Sequence, residues 1–313
     1  MAKKNGKEEL KKFNLSKLWG AMEKDIRRLE PFRVKRLEHL REYAGANYSD
    51  NGSEFPNPVN NLSLYVKVVT SHLIGSDPRV MASTFSRQLR PMASVFQEDC
   101  NKRLIRMKFK QTMERAVMDS LFLMGITRTA ITAPPEARFG GYVKVAGEPA
   151  ISNIDFEDFC FDFGAKSWSE CSYQGHRYCV LYDDVKNSPL FDNKQKLKIV
   201  PQTQENSNLT GDERVGTLSR GVWGNDEEYE DFVELWEVWL PHIGKVVTFD
   251  ADGDREMPLL IQDWVGPPCG PYQILGMGTI PGQLIPKAPV MDLVDLHKSR
   301  NLLARKLDNQ ASR

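Results

Sequence analysis

Residues 113–132 read MERAVMDSLFLMGITRTAIT, and within this stretch the periodicity of the apolar residues changes from helical to extended. One helical face carries small or apolar side chains at Ala116, Val117, Ser120, Leu121 and Met124. Gly125 follows as a residue able to adopt the left-handed conformation that ends many helices. The β-branched residues 126–132 then predict a strand. We therefore expect helices before this junction and mostly sheet from there to residue 286, which is an α+β fold class.

Three helical patterns precede the junction. Residues 15–43 carry an apolar stripe that we expect Pro31 to interrupt, and residues 61–74 form a shorter helix. The third pattern starts at Pro91, a residue suited to a first helical turn, and extends to Met124. If it is one continuous helix, its length is about 50 Å.

The strand patterns after the junction are of two kinds. Residues 151–162, ISNIDFEDFCFD, alternate aromatic and acidic residues, which predicts a half-buried strand with Asp155 and Glu157 on the same face. Residues 232–240, FVELWEVWL, carry apolar side chains on both faces, which predicts burial on both sides or an interface. Further strands are predicted at residues 142–145, 172–181, 245–250 and 259–264, the last two flanking a hairpin turn at 251–254.

The charges balance overall but are unevenly placed. Lys plus Arg and Asp plus Glu number 42 each, so a protein whose main role is to hold nucleic acid tightly is disfavoured. Residues 1–41 have thirteen basic and six acidic residues, a net charge of +7, and residues 225–256 have two basic and eleven acidic residues, a net charge of −9. Such regions can meet between neighbouring copies in a head-to-tail ring. The alternative is two solvated charged faces.

Sequence signatures of catalysis are mostly missing. The chain contains no GxxxxGK[ST] phosphate loop, no HExxH and no GxSxG motif. Cys171, His176 and Cys179 lack a fourth ligand at a spacing typical of zinc sites. Five cysteines without a CxxC pair predict a reducing compartment, and no apolar run approaches transmembrane length. We predict no cofactor and no metal.

An acidic cluster leaves one enzymatic alternative open. Asp155, Glu157, Asp158 and Asp162 could hold a divalent metal ion in a nuclease or another nucleic-acid enzyme. However, no His or Lys that would complete such a site lies nearby in the sequence. The same alternation of acids with aromatic residues is also what a half-buried strand requires, so we expect a structural role.

Six stretches, taken in order, carry a resemblance to a known family. They are NNLSLYVKVVTSHLIGSDP (60–78), DSLFLMGITRTAI (119–131), IDFEDFCFD (154–162), FVELWEVWL (232–240), PYQILGMGTIPGQLIP (271–286) and VMDLVDLHKSRNLLARKL (290–307). This order of helices, sheet and final helix resembles the portal (head-to-tail connector) proteins of tailed bacteriophages, particularly those of short-tailed phages. The similarity covers most of residues 57–307 as a diffuse pattern, without a single signature residue.

The resemblance implies a fold and a role. It implies an N-terminal basic helical arm (1–56), wing helices (57–135), a β-rich wing (136–286) and the start of a stem helix (287–313). The clip, the returning stem helix and the crown would follow, and because no stop signal comes after Leu307 we expect the polypeptide to continue beyond Arg313. The implied role is a structural subunit of a dodecameric ring at one capsid vertex, which passes double-stranded DNA during packaging and ejection and attaches the tail.

The implied partners are other proteins of the virion and its DNA. They are further copies of the chain, the major capsid protein, the terminase packaging motor, a head-tail adaptor or tail protein, and the double-stranded DNA, with no membrane. The implied location is the capsid portal vertex of the virion, and the host cytoplasm during assembly. A different capsid or adaptor protein with the same order of helices and sheet is a further alternative.

The final helix is where the resemblance places the DNA tunnel. Lys298, Asn301 and Arg305 fall on one face at i, i+3 and i+7, and our hypothesis is that this polar face meets DNA. The alternative is an ordinary solvated stripe. Packing between subunits is predicted for the leucines of the helix, Leu293, Leu296, Leu303 and Leu307.

Overall fold

A computed structural model describes residues 14–44, 60–132, 148–188, 191, 193–199, 232–252 and 257–311. The α-helices are α1 Leu15–Ala44, α2 Asn61–Leu73, α3 Arg90–Arg106, α4 Phe109–Phe122, α5 Tyr182–Asn187, α6 Asn193–Lys196 and α7 Met291–Ala311. The strands are β1 Gly125–Thr132, β2 Glu148–Ile154, β3 Phe159–Phe161, β4 Gln174–Leu181, β5 Phe232–Leu240, β6 Lys245–Asp250, β7 Leu260–Asp263 and β8 Tyr272–Leu275. Mixed helix and sheet confirms the predicted α+β class.

The chain divides into two compact units, each discontinuous in sequence. The first contains described residues from Met1–Leu37, Asp155–Gly270 and Gly282–Leu284, and the second those from Glu38–Ile154, Pro271–Pro281 and Ile285–Arg313. The four segments predicted from the sequence are consecutive stretches rather than compact units. Their assignment to arm, wing and stem stays a prediction. Among the described residues, no helix has the length and apolar character needed to cross a membrane.

The first unit is built on an antiparallel sheet in the order β3-β4-β5-β6-β7. Alternate residues of β5 point to opposite faces: Trp236 and Val238 pack with α1, whereas Val233 and Leu235 pack on the other side with the segment after β4. On the α1 side, the Trp19 ring meets the Trp236 ring edge-on at 6.3 Å between centroids. The apolar residues on both faces of β5 therefore reflect burial on both sides, one of the two predicted outcomes.

The second unit combines a three-stranded antiparallel sheet, in the order β2-β1-β8, with helices. Its helical core is formed by buried residues of α2, α4 and the start of α7: Leu62, Val66, Leu121, Phe122, Val290 and Val294. The rings of Tyr43 and Phe122 meet edge-on at 5.3 Å, which adds the last turn of α1 to this core. Burial of such residues contributes about 1.5–3 kcal/mol each.

The predicted interruption at Pro31 is wrong. Helix α1 is continuous from Leu15 to Ala44 with Pro31 inside it. A proline in a helix interior removes one hydrogen bond and costs about 3 kcal/mol. Side chains on both sides of it are buried, Leu29 before and Arg33 after, so tertiary packing offsets that cost.

The helical pattern from Pro91 to Met124 does not form one continuous helix. It is two helices, α3 and α4, separated at Met107 and Lys108, and Lys108 has the left-handed backbone conformation with φ 52°. Because a left-handed residue cannot continue a right-handed helix, the chain changes direction there. The placement of Pro91 in the first turn is confirmed.

The prediction that Gly125 adopts the left-handed conformation at a helix end is wrong. Gly125 is not among the glycines with positive φ; it begins β1, against α4. A Cβ atom built there would lie 1.9 Å from the carbonyl oxygen of Ala116. Glycine is therefore required by the close approach of the helix and strand backbones and not by a left-handed helix end.

The half-buried strand predicted for residues 151–162 is not continuous. Strand β2 ends at Ile154, a 3₁₀ turn covers Phe156–Asp158, and β3 then covers Phe159–Phe161. Asp155 caps the turn by accepting a hydrogen bond from the Glu157 backbone N–H at 3.2 Å. The acid–aromatic alternation therefore reflects a capped turn rather than one face of a strand. The strand predicted at 142–145 and half of the hairpin turn at 251–254 lie outside the described residues.

Candidate functional sites

The acidic cluster of residues 155–162 is paired with arginines of α1. Arg36 Nη1 lies 2.7 Å from Asp155 Oδ1 and 3.6 Å from Glu157 Oε1. Arg33 Nε lies 3.9 Å from Glu157, and Arg33 Nη2 donates to the carbonyl of Phe159 at 3.1 Å. Both arginines are buried. The carboxylates that could have held a metal ion are thus engaged by cations of the same unit.

The other two acids of the cluster also have protein partners. Arg177 Nη2 lies 3.0 Å from Asp158 Oδ1, and Arg177 Nη1 lies 3.2 Å from Glu234. Asp162 accepts hydrogen bonds from the backbone N–H groups of Gly164 and Ser172. A carboxylate that accepts bonds from guanidinium and amide groups has fewer lone pairs left for a metal ion. This arrangement favours the structural reading of the cluster over the nuclease reading.

The electrostatics of the cluster follow from burial and charge pairing. Burial raises the pKa of Glu157, and the nearby Arg36 and Arg33 partly counter that rise. For Arg177, burial alone would lower the pKa, but Glu234 and Asp158 outweigh it and the pKa is raised. Arg177 therefore stays charged between its two carboxylate partners.

Cys171, His176 and Cys179 are held in separate environments. The Cys171 thiol approaches the carbonyl of Ser167 at 3.7 Å, and burial raises its pKa to about 11. The His176 ring stacks on Tyr178 with 5.3 Å between centroids. In the part of the chain that the structure describes, no group of three or more His, Cys, Asp or Glu residues is placed to hold a metal ion.

The start of α7 is anchored in the second unit. Val290 and Val294 are buried, and the Val290 backbone N–H donates to the carbonyl of Leu121 at 3.2 Å. Leu293 is half-buried against the same core. Of the four leucines predicted to pack between subunits, Leu293 is thus the one already used by the core of its own chain.

The polar face of α7 meets the end of α1 within the same unit. Lys298 Nζ lies 3.5 Å from Glu42 Oε1, a carboxylate that is 7% exposed. Asn301 Nδ2 lies 3.2 Å from Nε2 of His297, whose pKa is lowered by burial despite the nearby Glu42. Arg305 is exposed farther along the helix. Sequence spacing placed these residues on one face, but it had no signal for Glu42, which lies in a different helix.

The remaining leucines of α7 are exposed. Leu296, Leu303 and Leu307 are exposed to 66%, 59% and 63%, and they follow one another along one side of the helix. This side is opposite Lys298 and Arg305 in a 3.6-residue period. The helix therefore leaves the core with an apolar stripe that its own chain does not cover.

A small cleft lies where α3 meets α4. Its volume is about 200 Å³, and Pro78, Leu104, Lys108 and Phe109 contribute to its lining. Lys110 Nζ, at its edge, lies 3.8 Å from Asp77. The cleft is open and mostly apolar, and it lacks the converging polar groups typical of a small-molecule site.

No protein-family model matches the chain, and no curated protein sequence matches it significantly.

Proposed function

We propose that this chain is a structural subunit of a tailed-bacteriophage portal ring, which would conduct double-stranded DNA at one capsid vertex and bear the attachment of the tail. In this proposal the subunit has no catalytic activity of its own. A separate terminase motor drives packaging, and the major capsid protein and a head-tail adaptor or tail protein bind around the ring. Its place is the virion and, during assembly, the host cytoplasm.

The observation that carries the proposal is the uncovered leucine stripe on α7. The helix is anchored at its start by Val290 and Val294, yet Leu296, Leu303 and Leu307 remain exposed over three turns. A helix of this kind is stabilised when other helices cover its stripe. The portal arrangement supplies such cover, since the stem helices of neighbouring subunits would lie side by side around a tunnel.

Two further features support a ring over an enzyme. The arginines Arg33, Arg36 and Arg177 engage the acidic cluster on which the nuclease alternative depends. The chain is neutral overall, which suits a conduit because strong attraction to phosphate would retard sliding DNA. The portal fold itself and the tunnel role of Lys298, Asn301 and Arg305 belong to the proposal.

Negative-stain electron microscopy and sedimentation of the purified protein test the proposal. We expect closed rings of about twelve copies with a central hole wide enough for duplex DNA. Replacing Leu303 and Leu307 with serine should disrupt the rings without changing the fold of the subunit, because both side chains are exposed in the single chain. A single-subunit particle at all concentrations, or a chelator-sensitive nuclease activity lost in Asp155→Ala, would overturn it.

A further inference from the structure

Helix α3 contributes no buried residue to its own chain. All of its residues are among the described ones, and none of them is buried. Helices of this length are marginal in water unless an apolar face packs against something. Leu89, Met92 and Phe96 follow at i, i+3 and i+7, which places them on one face, and all three are exposed. This face has the composition of a packing surface.

The segment before α3 holds further apolar side chains in solvent. Asn101 in α3 accepts a hydrogen bond from the Val80 backbone N–H at 2.8 Å and donates one to the Val80 carbonyl at 3.2 Å. Gln97, one turn earlier, accepts from the Ala82 N–H at 3.1 Å. The backbone is thereby fixed to the helix while Met81 and Phe85 stay 89% and 110% exposed. Fixing the backbone in advance lowers the entropy that binding would cost.

The combined apolar surface is as large as one side of an interface. At about 200 Å² for each large side chain, the exposed parts of Met81, Phe85, Leu89, Met92 and Phe96 amount to roughly 700 Å². The largest apolar patch on a typical monomer is about 300–600 Å². A standard protein–protein interface buries about 800 Å² on each partner. The exposed apolar area is therefore close to the area that one partner buries in a stable protein–protein interface.

The charge of this region identifies the kind of surface it would meet. Residues 78–97 contain Arg79, Arg87 and Arg90 and no acidic residue, and all three arginines are exposed. A complementary partner surface must combine apolar side chains with carboxylates. We call Met81, Phe85, Leu89, Met92 and Phe96, together with these three arginines, the cationic surface.

The same unit carries a surface of the opposite kind at the start of α7. Met291 and Leu296 are exposed there, and so are Asp292 and Asp295 between them. Asp292 also lies 2.5 Å from Lys287, so it is partly neutralised, whereas Asp295 extends the acidic character one turn further. We call these four residues of α7 the acidic surface.

We infer that the cationic surface of one copy binds the acidic surface of a second copy. Both surfaces are exposed in the single chain, so neither covers the other within one copy, and each is available to a second copy. Two different patches that meet in this way form a heterologous contact, which generates a ring when the rotation closes. The inference rests on the proposed ring and names the pair of surfaces that would join its neighbours.

Charge reversal on each side tests the pairing. The first variant is Arg87→Glu/Arg90→Glu, the second is Asp292→Lys/Asp295→Lys, and the third combines all four changes. Sedimentation velocity of the purified chain should show an association constant at least tenfold lower for each one-sided variant and largely restored in the combined variant. Lys67→Glu/Lys166→Glu, a double charge reversal at exposed positions outside both residues 1–41 and the cationic surface, should assemble as the wild type does.

The outcomes separate this inference from the proposed function. Wild-type rings that persist in either one-sided variant would overturn the pairing and leave the ring proposal standing. If association is weakened in the one-sided variants and is not restored in the combined variant, the pairing would also be overturned, provided that circular dichroism shows unchanged helix content. A wild-type chain that never associates would overturn the ring proposal, and the pairing with it.

Discussion

Arg36 is the residue on which the acidic cluster depends. Its side chain is 4% exposed and contacts both Asp155 and Glu157. Arg36→Met would leave two partly buried carboxylates with Arg33 as their remaining close cation, so we expect the free energy of unfolding to fall by about 3–5 kcal/mol. Urea denaturation of the purified variant measures this change.

A surface pair provides the matched control for Arg36. Arg27 is 78% exposed and lies 2.8 Å from Glu23 in the same helix, so Arg27→Met should cost less than about 1 kcal/mol. If the free energy of unfolding fell equally little in both variants, Arg36 would not be needed to compensate the charges of Asp155 and Glu157. They would then be available to another cation, and the nuclease reading would regain support.

Glu157 predicts a pH dependence with a definite sign. Burial raises its pKa in the folded state, so the folded protein binds this proton more tightly than the unfolded chain does. The stabilising contribution is therefore complete below the unfolded-state pKa and is lost as the pH rises through the raised folded-state pKa. Glu157→Gln, which cannot ionise, should become more stable relative to the wild type across that window. Urea midpoints between about pH 4 and pH 8 would reveal it, and an opposite trend would show that the arginines outweigh burial.

At the scale of elements, the contact of α4 with β1 depends on Gly125. A Cβ atom at this position would meet the backbone of Ala116 at 1.9–3.0 Å, so Gly125→Ala has to push the helix away from the strand. We expect a loss of about 3 kcal/mol, at the upper end for overpacking. Gly20→Ala in α1 is the control, because nothing lies within 4 Å of its added Cβ and a helix interior favours alanine by about 0.5–1 kcal/mol. Equal changes in melting temperature for Gly125→Ala and Gly20→Ala would contradict this account.

The sequence pattern correctly predicted those elements that are determined by residues close together in the sequence. The change of period at residue 125 marks the start of β1, Pro91 falls in the first turn of α3, and the apolar alternation of β5 reports its burial on both faces. The predictions that failed concern features that involve residues far apart in the sequence. At the break of the strand pattern after Ile154, Asp155 meets Arg36, a residue 119 positions earlier in the sequence.

The same limit applies to the candidate sites. Spacing placed Lys298, Asn301 and Arg305 on one face of α7, but the partner of Lys298 is Glu42, in another helix. Composition likewise marked the start of α3 as helical, but not that none of its residues would be buried. Contacts between distant segments, and surfaces left without them, follow from tertiary packing that no local period encodes.

At the scale of the whole molecule, the net charge is zero, yet the second unit carries two exposed surfaces of opposite charge, the cationic surface and the acidic surface. Exposed ion pairs contribute about 0.2–1 kcal/mol each, whereas burial of a large apolar side chain such as Met92 or Phe96 contributes about 1.5–3 kcal/mol. The apolar residues should therefore set how long two copies stay together. The arginines and aspartates should set how quickly they meet and in which orientation.

This division predicts how salt acts on assembly. Raising NaCl from about 0.05 M to about 1 M shortens the screening length to about 3 Å, so association between copies should slow by tenfold or more while dissociation changes little. Stopped-flow light scattering measures both rates. Phe85→Ser/Met92→Ser should do the reverse, speeding dissociation at every salt concentration, because it removes apolar contact and leaves the charges unchanged. The matched control is Ile105→Ser, an exposed apolar residue on another face of α3. Salt that accelerated dissociation as strongly as it slowed association would show that the charges hold the copies together, and the roles assigned to the two kinds of residue would be wrong.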